Sequence, residues 1–219
     1  MKKQLQAALI LSMLFLSANT FGQAAGTKTY LDILLNVVST NLNYGELNSS
    51  LKEYKKPVLG AQVGVSFQAG ITPKFSFVSE LYFIMKGGTL KADNPLTYNK
   101  TTLRLYTIEL PVLVRFNFGK IYVNAGPYIA YNVYGTRKME GSTKALPFDD
   151  SNDAFKRWDA GIQMGAGYRF KVKQKAVVVD MRYTYGLSNI SNNQEMYNRY
   201  LNISLHCSAP WKKYPLGKK

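Results

Sequence analysis

The sequence predicts an all-β fold, an eight-stranded antiparallel up-and-down transmembrane β-barrel, from three observations. Eight segments alternate apolar and polar residues with the two-residue period of a strand, so each presents one apolar and one polar face. The connections between these segments are alternately short and long, as in transmembrane barrels. The N-terminus has the pattern of an export signal, so the chain is expected to leave the cytoplasm.

The export signal is predicted to cover residues 1–22. Lys2 and Lys3 precede an apolar stretch over 7–18, and Thr20 and Gly22 fit the −3 and −1 positions of a cleavage site. The apolar stretch is too short for a spanning helix of about 20 residues. Residues 28–207 are predicted to form the barrel domain, and residues 208–219 a basic C-terminal tail.

The eight strands are predicted from the limits of the alternation. In chain order they cover 30–39, 60–71, 75–86, 103–117, 121–134, 158–170, 176–187 and 197–207. The sixth is the clearest, because every even position from Trp158 to Phe170 is apolar and every odd position is polar or glycine. Pro111 lacks an amide donor, so we expect a bulge or a local bend in the fourth strand. The long connections at 41–59, 87–102, 135–157 and 188–196 lie at one end of the barrel, and both termini lie at the other.

The composition of the polar face predicts that it lines the interior. Glycine contributes little on a strand surface that faces water, but inside a narrow barrel it leaves room for large neighbours. Charges of both signs on one face can pair inside the barrel, whereas an unpaired buried carboxylate would be costly. The glycines of this face are Gly64, Gly70, Gly126, Gly161, Gly165, Gly167 and Gly186. A soluble barrel would have the opposite arrangement.

The charged residues of the polar face are predicted to form an interior ion network. They are Asp32, Glu80, Lys86, Glu109, Arg115, Asp159, Arg169, Asp180 and Arg182. The carboxylates could form an acid–base pair, but pairing with the arginines explains them without chemistry. Large side chains on the same face are expected to fill the lumen, so large solutes should not pass. Aromatic residues at the ends of the apolar faces are expected to form interfacial girdles.

Few residues favour catalysis or metal binding. His206 is the only histidine and Cys207 the only cysteine, so the chain has no intrachain disulfide and no zinc-binding pattern. Since His206 falls at the short-turn end of the last strand, a structural role is favoured over a catalytic triad. The acidic run at 149–153 suggests calcium but lacks the spacing and glycine of an EF-hand loop, so a solvated loop is favoured. We expect no enzymatic activity and no cofactor.

The formal charge of +15 does not indicate nucleic-acid binding. The basic residues are dispersed or terminal, and an exported protein rarely meets nucleic acid. A positive rim facing anionic lipid headgroups is the preferred interpretation. In the first long connection, residues 51–56 are expected to form a short turn of helix.

Several short motifs carry a family resemblance. They lie at 79–82 and 86–88, at 108–113, at 125–128, at 159–161 with 165–167, and at 182–187. Glu-Leu-Pro at 109–111 and Gly-Pro-Tyr at 126–128 are the more specific. Over about residues 28–207 the chain resembles the PorT-like outer-membrane β-barrel domain family of Bacteroidota-type bacteria, which is related in architecture to the OmpA and OmpX barrels. The resemblance implies an eight-stranded barrel in the outer membrane and no single activity.

The resulting expectation is a monomeric outer-membrane barrel with a structural or loop-mediated interaction role: envelope integrity, adhesion or a part in a secretion system. Its expected partners are the lipid bilayer and lipopolysaccharide, the barrel-assembly machinery, and a protein bound through the long loops. Two alternatives remain. One is a periplasmic soluble ligand-binding β-barrel, which would need no detergent. The other is a lipid-modifying outer-membrane enzyme, in which replacing His206 would change the lipid profile.

Overall fold

The computed structural model describes residues 29–172 and 175–208, so the predicted signal and the tail beyond Ser208 lie outside the described residues. The eight long strands are β1 Thr29–Asn43, β3 Val58–Gly70, β4 Phe75–Leu90, β5 Thr101–Phe118, β6 Ile121–Met139, β8 Trp158–Val172, β9 Lys175–Gly186 and β10 Tyr197–Ser208. The short elements are strands β2 Lys55–Lys56 and β7 Ser142–Ala145 and two 3-10 helices, Gly45–Asn48 and Lys52–Tyr54. The second of these helices is the helical turn predicted within 51–56. No helix in the described part of the chain is both long and apolar enough to span a membrane.

The eight long strands form one closed antiparallel barrel, which confirms the predicted fold class. Each long strand pairs with its neighbour along the chain, and β1 pairs with β10 to close the ring. Closure requires the first and last strands to meet in register, with Val37 opposite Ile203 and Asn43 opposite Tyr197. The β3–β4 and β5–β6 turns lie at the same end as the start of β1 and the end of β10, which we call the turn end. The long connections lie at the other end, the loop end.

The two faces are arranged as the composition predicted. On β1, Ile33 and Leu35 are 79% and 75% exposed, whereas Asp32 and Asn36 on either side of them are buried. A continuous apolar surface on the outside of a closed barrel has no partner within the chain, as expected for a wall that faces lipid. The polar face lines the interior, where its groups bind one another.

Most of the strands extend further at the loop end than the sequence predicted. β1 continues to Asn43, β4 to Leu90 and β6 to Met139, and these extensions pair with one another and with β2 and β7. Along the extensions the alternation is reversed. In the β1 extension, Leu42 points inward and is buried, whereas Asn41 and Asn43 beside it lie on the outer face and are half-buried. The same inversion already begins inside the predicted fourth strand, where Leu103 and Leu105 are buried and Arg104 between them is exposed. The strands therefore leave the lipid-facing zone and continue as a water-facing sheet with an apolar inner surface.

The bulge predicted at Pro111 is found elsewhere. The register of β5 with β6 is the same on both sides of Pro111, so no residue is inserted there. The register shifts instead between Tyr106 and Thr107, which pair with Tyr134 and Asn132 and leave Val133 as the extra residue of β6. Both Val133 and Tyr134 are consequently exposed on the outer surface.

The loop end is closed by apolar side chains. Leu42, Tyr44, Leu51, Leu90, Leu103, Leu105, Leu146, Phe155, Ile190 and Met196 form one buried cluster, which we call the mouth cluster. Tyr44 and Leu51 come from the first long connection, Leu146 and Phe155 from the third, and Ile190 from the fourth. Three of the four long connections thus fold over the barrel and close its interior at this end.

Candidate functional site

Beneath the mouth cluster, Lys86 joins two carboxylates inside the barrel. Its Nζ lies 3.0 Å from Oε2 of Glu109 and 2.8 Å from Oδ2 of Asp159, and all three side chains are fully buried. These three residues, which with their hydrogen-bond partners we call the upper ion cluster, come from β4, β5 and β8, so the ion pairs connect distant parts of the wall. A buried charge without a partner would be very unfavourable, so each of these groups depends on the others.

Hydrogen bonds occupy the remaining oxygen of Glu109. Its Oε1 accepts from Tyr82 Oη at 2.8 Å, from Gln163 Nε2 at 2.7 Å, and from the hydroxyl of Tyr200. These three donors stand on β4, β8 and β10. Both oxygens of the buried Glu109 carboxylate therefore have partners within the barrel.

Asp159 is satisfied in the same way. Asn198 Nδ2 donates to its Oδ2 at 2.7 Å, and Ser188 Oγ donates to its Oδ1 at 2.9 Å. The hydroxyl of Tyr128 lies 3.4 Å from both oxygens. Ser188 belongs to the fourth long connection, so this bond ties that connection to the barrel interior.

A second ion cluster lies closer to the turn end. Arg182 Nη1 is 2.6 Å from Oε2 of Glu80, and Arg182 Nε is 2.7 Å from Oδ1 of Asp180. Ser66 Oγ donates to the other oxygen of Glu80 at 3.1 Å. One arginine thus neutralises carboxylates on two separate strands.

Arg115 and Tyr122 complete this second cluster. The hydroxyl of Tyr122 donates to Asp180 Oδ2 at 2.5 Å. The guanidinium of Arg115 lies 4.0 Å from the centroid of the Tyr122 ring and donates to Gln68 Oε1 at 2.7 Å. Arg115 is therefore held by a ring face and an amide oxygen, without a direct ion pair among the described residues.

Two further members of the predicted network, Asp32 and Arg169, and the histidine lie at other positions of the wall. Asp32 is buried on β1 opposite Ser66. Arg169 is half-buried on β8 near the turn end and makes no ion pair with a carboxylate of the described residues. His206 pairs with Val178 near the turn end, and its side chain lies outside the described residues.

Sequence reasoning missed several ligands of the carboxylates. Gln163, Asn198 and Tyr200 lie on the inward face of their strands, and that parity is the signal that could have revealed them. The contribution of Ser188 could not be read from alternation, because it lies in a loop. Within the part of the chain that the structure describes, no group of three or more metal-ligating side chains is brought together.

Comparison with known proteins gives the family. A family model described as outer membrane protein beta-barrel domain matches residues 32–192, which is most of the chain. The chain belongs to this family. The barrel therefore lies in the outer membrane, where it contacts the lipid bilayer and lipopolysaccharide. A search of the curated proteins found no match.

Solved outer-membrane structures resemble this outer-membrane barrel at low identity. Ail, the attachment invasion locus protein of Yersinia pestis, is 8% identical with a TM-score of 0.46, over 83% of this chain and 99% of Ail. Neisserial surface protein A is 12% identical with a TM-score of 0.47, over 84% of this chain and 97% of that protein. OprG from Pseudomonas aeruginosa is 9% identical with a TM-score of 0.45, over 87% and 98% of the two chains.

Aromatic rings contact one another near both ends of the apolar wall, where the sequence predicted interfacial girdles. At the loop end the rings of Phe83 and Tyr134 lie 6.2 Å and 5.8 Å from that of Tyr106. At the turn end Phe116 contacts Phe75 at 5.5 Å. Tyr106 and Phe116 are ten residues apart on β5, which at ~3.3 Å per residue and ~40° tilt is about 25 Å, the height of an outer-membrane apolar band.

The acidic run at 149–153 in the third long connection is held by hydrogen bonds between its own residues. Asp149 Oδ1 accepts from the backbone amide of Ser151 at 3.0 Å and also from its hydroxyl at 2.5 Å. These bonds lower the pKa of the Asp149 carboxyl. The run thus forms a local turn at the protein surface.

Proposed function

We propose that this outer-membrane barrel is a structural and interaction protein that forms no channel and catalyses no reaction. Its role would be in envelope integrity, adhesion or a secretion assembly. The observation that carries this proposal is the sealed interior. The mouth cluster closes the loop end, and the two buried ion clusters fill the lumen below it. The residues that carry the function would then lie on the outer surfaces, above all in the loops.

The most prominent outer surface is the sheet that stands above the membrane. It consists of the strand extensions together with β2 and β7, and β7 is fully exposed. A groove on its outer side is lined by Lys100, Thr102, Arg104, Thr136, Lys138, Glu140, Gly141 and Thr143. Three cations against one carboxylate give this groove a positive charge, so it would suit a partner with acidic groups.

The same proposal includes membership of the PorT-like group and insertion by the barrel-assembly machinery. The Glu-Leu-Pro and Gly-Pro-Tyr motifs favour the PorT-like group, and their residues Glu109 and Tyr128 both contribute to the upper ion cluster. The chain closes its own barrel edges, which favours a monomer. Insertion would require the barrel-assembly machinery.

Conductance tests the closed interior. The purified protein is reconstituted into planar bilayers, with a porin as the positive control. We expect no resolved conductance steps, because the mouth cluster and the ion clusters block the lumen. Reproducible steps from the folded protein would overturn the proposal that it forms no channel.

Complementation tests the interaction surface. A strain that lacks the gene is complemented with wild type, with Arg104→Glu/Lys138→Glu, or with Lys74→Glu/Lys120→Glu as a charge-matched control at the turn end. Cell adhesion and detergent sensitivity are measured. We expect wild type and the control to restore both properties and the Arg104→Glu/Lys138→Glu variant to fail. Full restoration by all three proteins would contradict a role for the groove.

Lipid analysis tests the enzymatic alternative. Cells that express wild type or His206→Ala are compared by mass spectrometry of their outer-membrane lipids. We expect identical profiles, because His206 is a structural residue in this proposal. A lipid species that depends on wild type and disappears with His206→Ala would favour a lipid-modifying enzyme.

A further inference from the structure

A second polar pocket lies on the outer wall where β1, β9 and β10 meet. Two cross-strand rows line it: Ser39, Leu201 and Tyr183 in the lower row, and Asn41, Arg199 and Tyr185 in the upper row. The first long connection contributes Lys55. The pocket encloses about 460 Å³, which is a typical size for a small-ligand site.

The pocket sits at the upper edge of the apolar wall. The next outward positions toward the turn end are Val37 on β1, Met181 on β9 and Ile203 on β10, which are 64%, 53% and 55% exposed. On β1 the outward residues change from Val37 to the polar Ser39 and Asn41, and on β10 they change from Ile203 and Leu201 to Arg199. This change places the pocket at the level of the outer-leaflet headgroups, with its lower side open to acyl chains.

Two cations meet in this pocket without a carboxylate. Arg199 lies 3.5 Å from the centroid of the Tyr185 ring, and its Nη1 donates to the carbonyl oxygens of Gly186 at 2.5 Å and Asn198 at 2.9 Å. Lys55 Nζ donates to Asn48 Oδ1 at 2.5 Å. Neither cation forms an ion pair with a carboxylate of the described residues.

Electrostatics favour an anion between these two groups. Partial burial and the positive charge of Arg199 both lower the pKa of the Lys55 ammonium group. A bound anion would remove this repulsion. Arg199 is also preorganised, because the ring and the two carbonyls fix its guanidinium while Nη2 carries no hydrogen bond to the described residues. A fixed guanidinium fork is well suited to phosphate oxygens.

We propose that the Lys55–Arg199 pocket binds the phosphate group of an outer-leaflet glycolipid, the lipid A part of lipopolysaccharide. The phosphate lies between the two cations, the sugar contacts the polar residues Ser39 and Asn41, and the acyl chains lie along Val37, Met181 and Ile203. This inference depends on the location of the barrel in the outer membrane and is independent of the proposed interaction role.

The test measures lipid binding to the full-length mature protein in detergent by native mass spectrometry. Wild type, Lys55→Gln/Arg199→Gln and the control Lys52→Gln/Lys56→Gln are each titrated with bisphosphorylated lipid A and with its dephosphorylated form. Lys52 and Lys56 are exposed residues of the same connection, so the control removes the same charge. A heat-dependent shift in SDS gels shows that each variant has folded.

We expect Lys55→Gln/Arg199→Gln to bind lipid A about tenfold more weakly or worse, on the scale of losing charge-assisted hydrogen bonds. The control should bind as wild type does, and dephosphorylated lipid A should bind wild type as weakly as lipid A binds the double variant. Arg199→Lys retains the charge without the fork and should give an intermediate affinity. It also serves as the folded substitute if Arg199→Gln fails to fold.

Other outcomes would overturn the proposal. Equal binding by the double variant and the control would mean that the lipid contacts the wall elsewhere. Equal binding of both lipid forms to wild type would mean that the acyl chains, rather than the phosphate, are recognised. Competition by glucosamine 1-phosphate as effective as that by lipid A would assign the pocket to a soluble sugar phosphate.

Discussion

At the scale of single residues, Lys86 is the group on which the upper ion cluster depends. Replacing it by methionine would leave Glu109 and Asp159 buried without their shared cation. Removing one partner of a buried ion pair costs about 3–5 kcal/mol. We therefore expect Lys86→Met to lower the urea midpoint of unfolding in phospholipid vesicles, followed by gel mobility in SDS. Lys74→Met, at an exposed turn, is the control and should unfold at the wild-type midpoint.

Small and large interior residues are matched across strands. Gly64 lies opposite Tyr82, Gly161 opposite Tyr128, Gly165 opposite Arg182 and Gly167 opposite Tyr122. In each pair an added methyl group would lie under 3.0 Å from the large side chain, and at Gly64, Gly161 and Gly165 it would come closer still to a backbone carbonyl of the neighbouring strand. The glycines on the inward face thus have the steric role that their position in the sequence suggested.

Gly167 gives a direct test of this matching. An added Cβ would lie 2.1 Å from Cζ of Tyr122, so the ring would have to move away from Asp180 and Arg115. Overpacking of this kind costs about 1–3 kcal/mol. We expect Gly167→Ala to lower the free energy of unfolding in the wild-type background, and to lower it less in a Tyr122→Leu background where the ring is absent, measured by urea titration in vesicles. An unchanged midpoint for Gly167→Ala would show that the ring has room to shift.

At the scale of elements, the strands were predictable where lipid surrounds them. Lipid requires apolar residues outside, and the narrow lumen requires polar or small residues inside, so the alternation is strong there. Above the membrane the preferences of the two faces are exchanged, so that polar residues are favoured outside and apolar residues inside. Leu103 and Leu105 face inward and Arg104 faces outward, so the phase of the strand continues while its polarity is inverted. The predictions for β1 and β4 end where this inversion begins, whereas the prediction for β5 already includes it at Leu103 and Leu105.

The sites differ in predictability for the same reason. Alternation assigned Lys86, Glu109 and Asp159 to one face, but it contains no information on which strands become neighbours across the lumen. The mouth cluster was not predicted, because its loop members stand in segments without periodicity. The Lys55–Arg199 pocket depends on a loop residue meeting a strand residue 144 positions away.

Leu51 tests the mouth cluster as an element. It is fully buried within the first long connection, where it packs among the apolar side chains of the barrel mouth. Truncation to alanine costs about 2–5 kcal/mol at a buried site, and here the loss should fall on loop closure rather than on the barrel. We expect Leu51→Ala to speed limited proteolysis between residues 44 and 57 while the SDS resistance of the barrel is retained. Leu47→Ala, in the same connection but exposed, should be cleaved at the wild-type rate.

At the scale of the whole molecule, stability depends on closure of the ring. Every edge of the eight long strands is paired only because β10 returns to β1. In lipid an open edge would leave backbone groups without partners, each costing several kcal/mol. The ring should therefore form or fail as a unit, with β10 as the element that completes it.

Gel mobility measures this closure directly. The mature protein from outer-membrane fractions should migrate as a compact band in cold SDS and shift after boiling, because a closed hydrogen-bonded barrel resists the detergent. A chain ending at Met196 lacks β10 and leaves β1 and β9 with open edges, so it should show no cold, compact band. A chain ending at Ser208 retains all eight long strands and should shift as the full chain does. If the Met196 truncation still gave the compact band, closure through β1 and β10 would not be the source of SDS resistance.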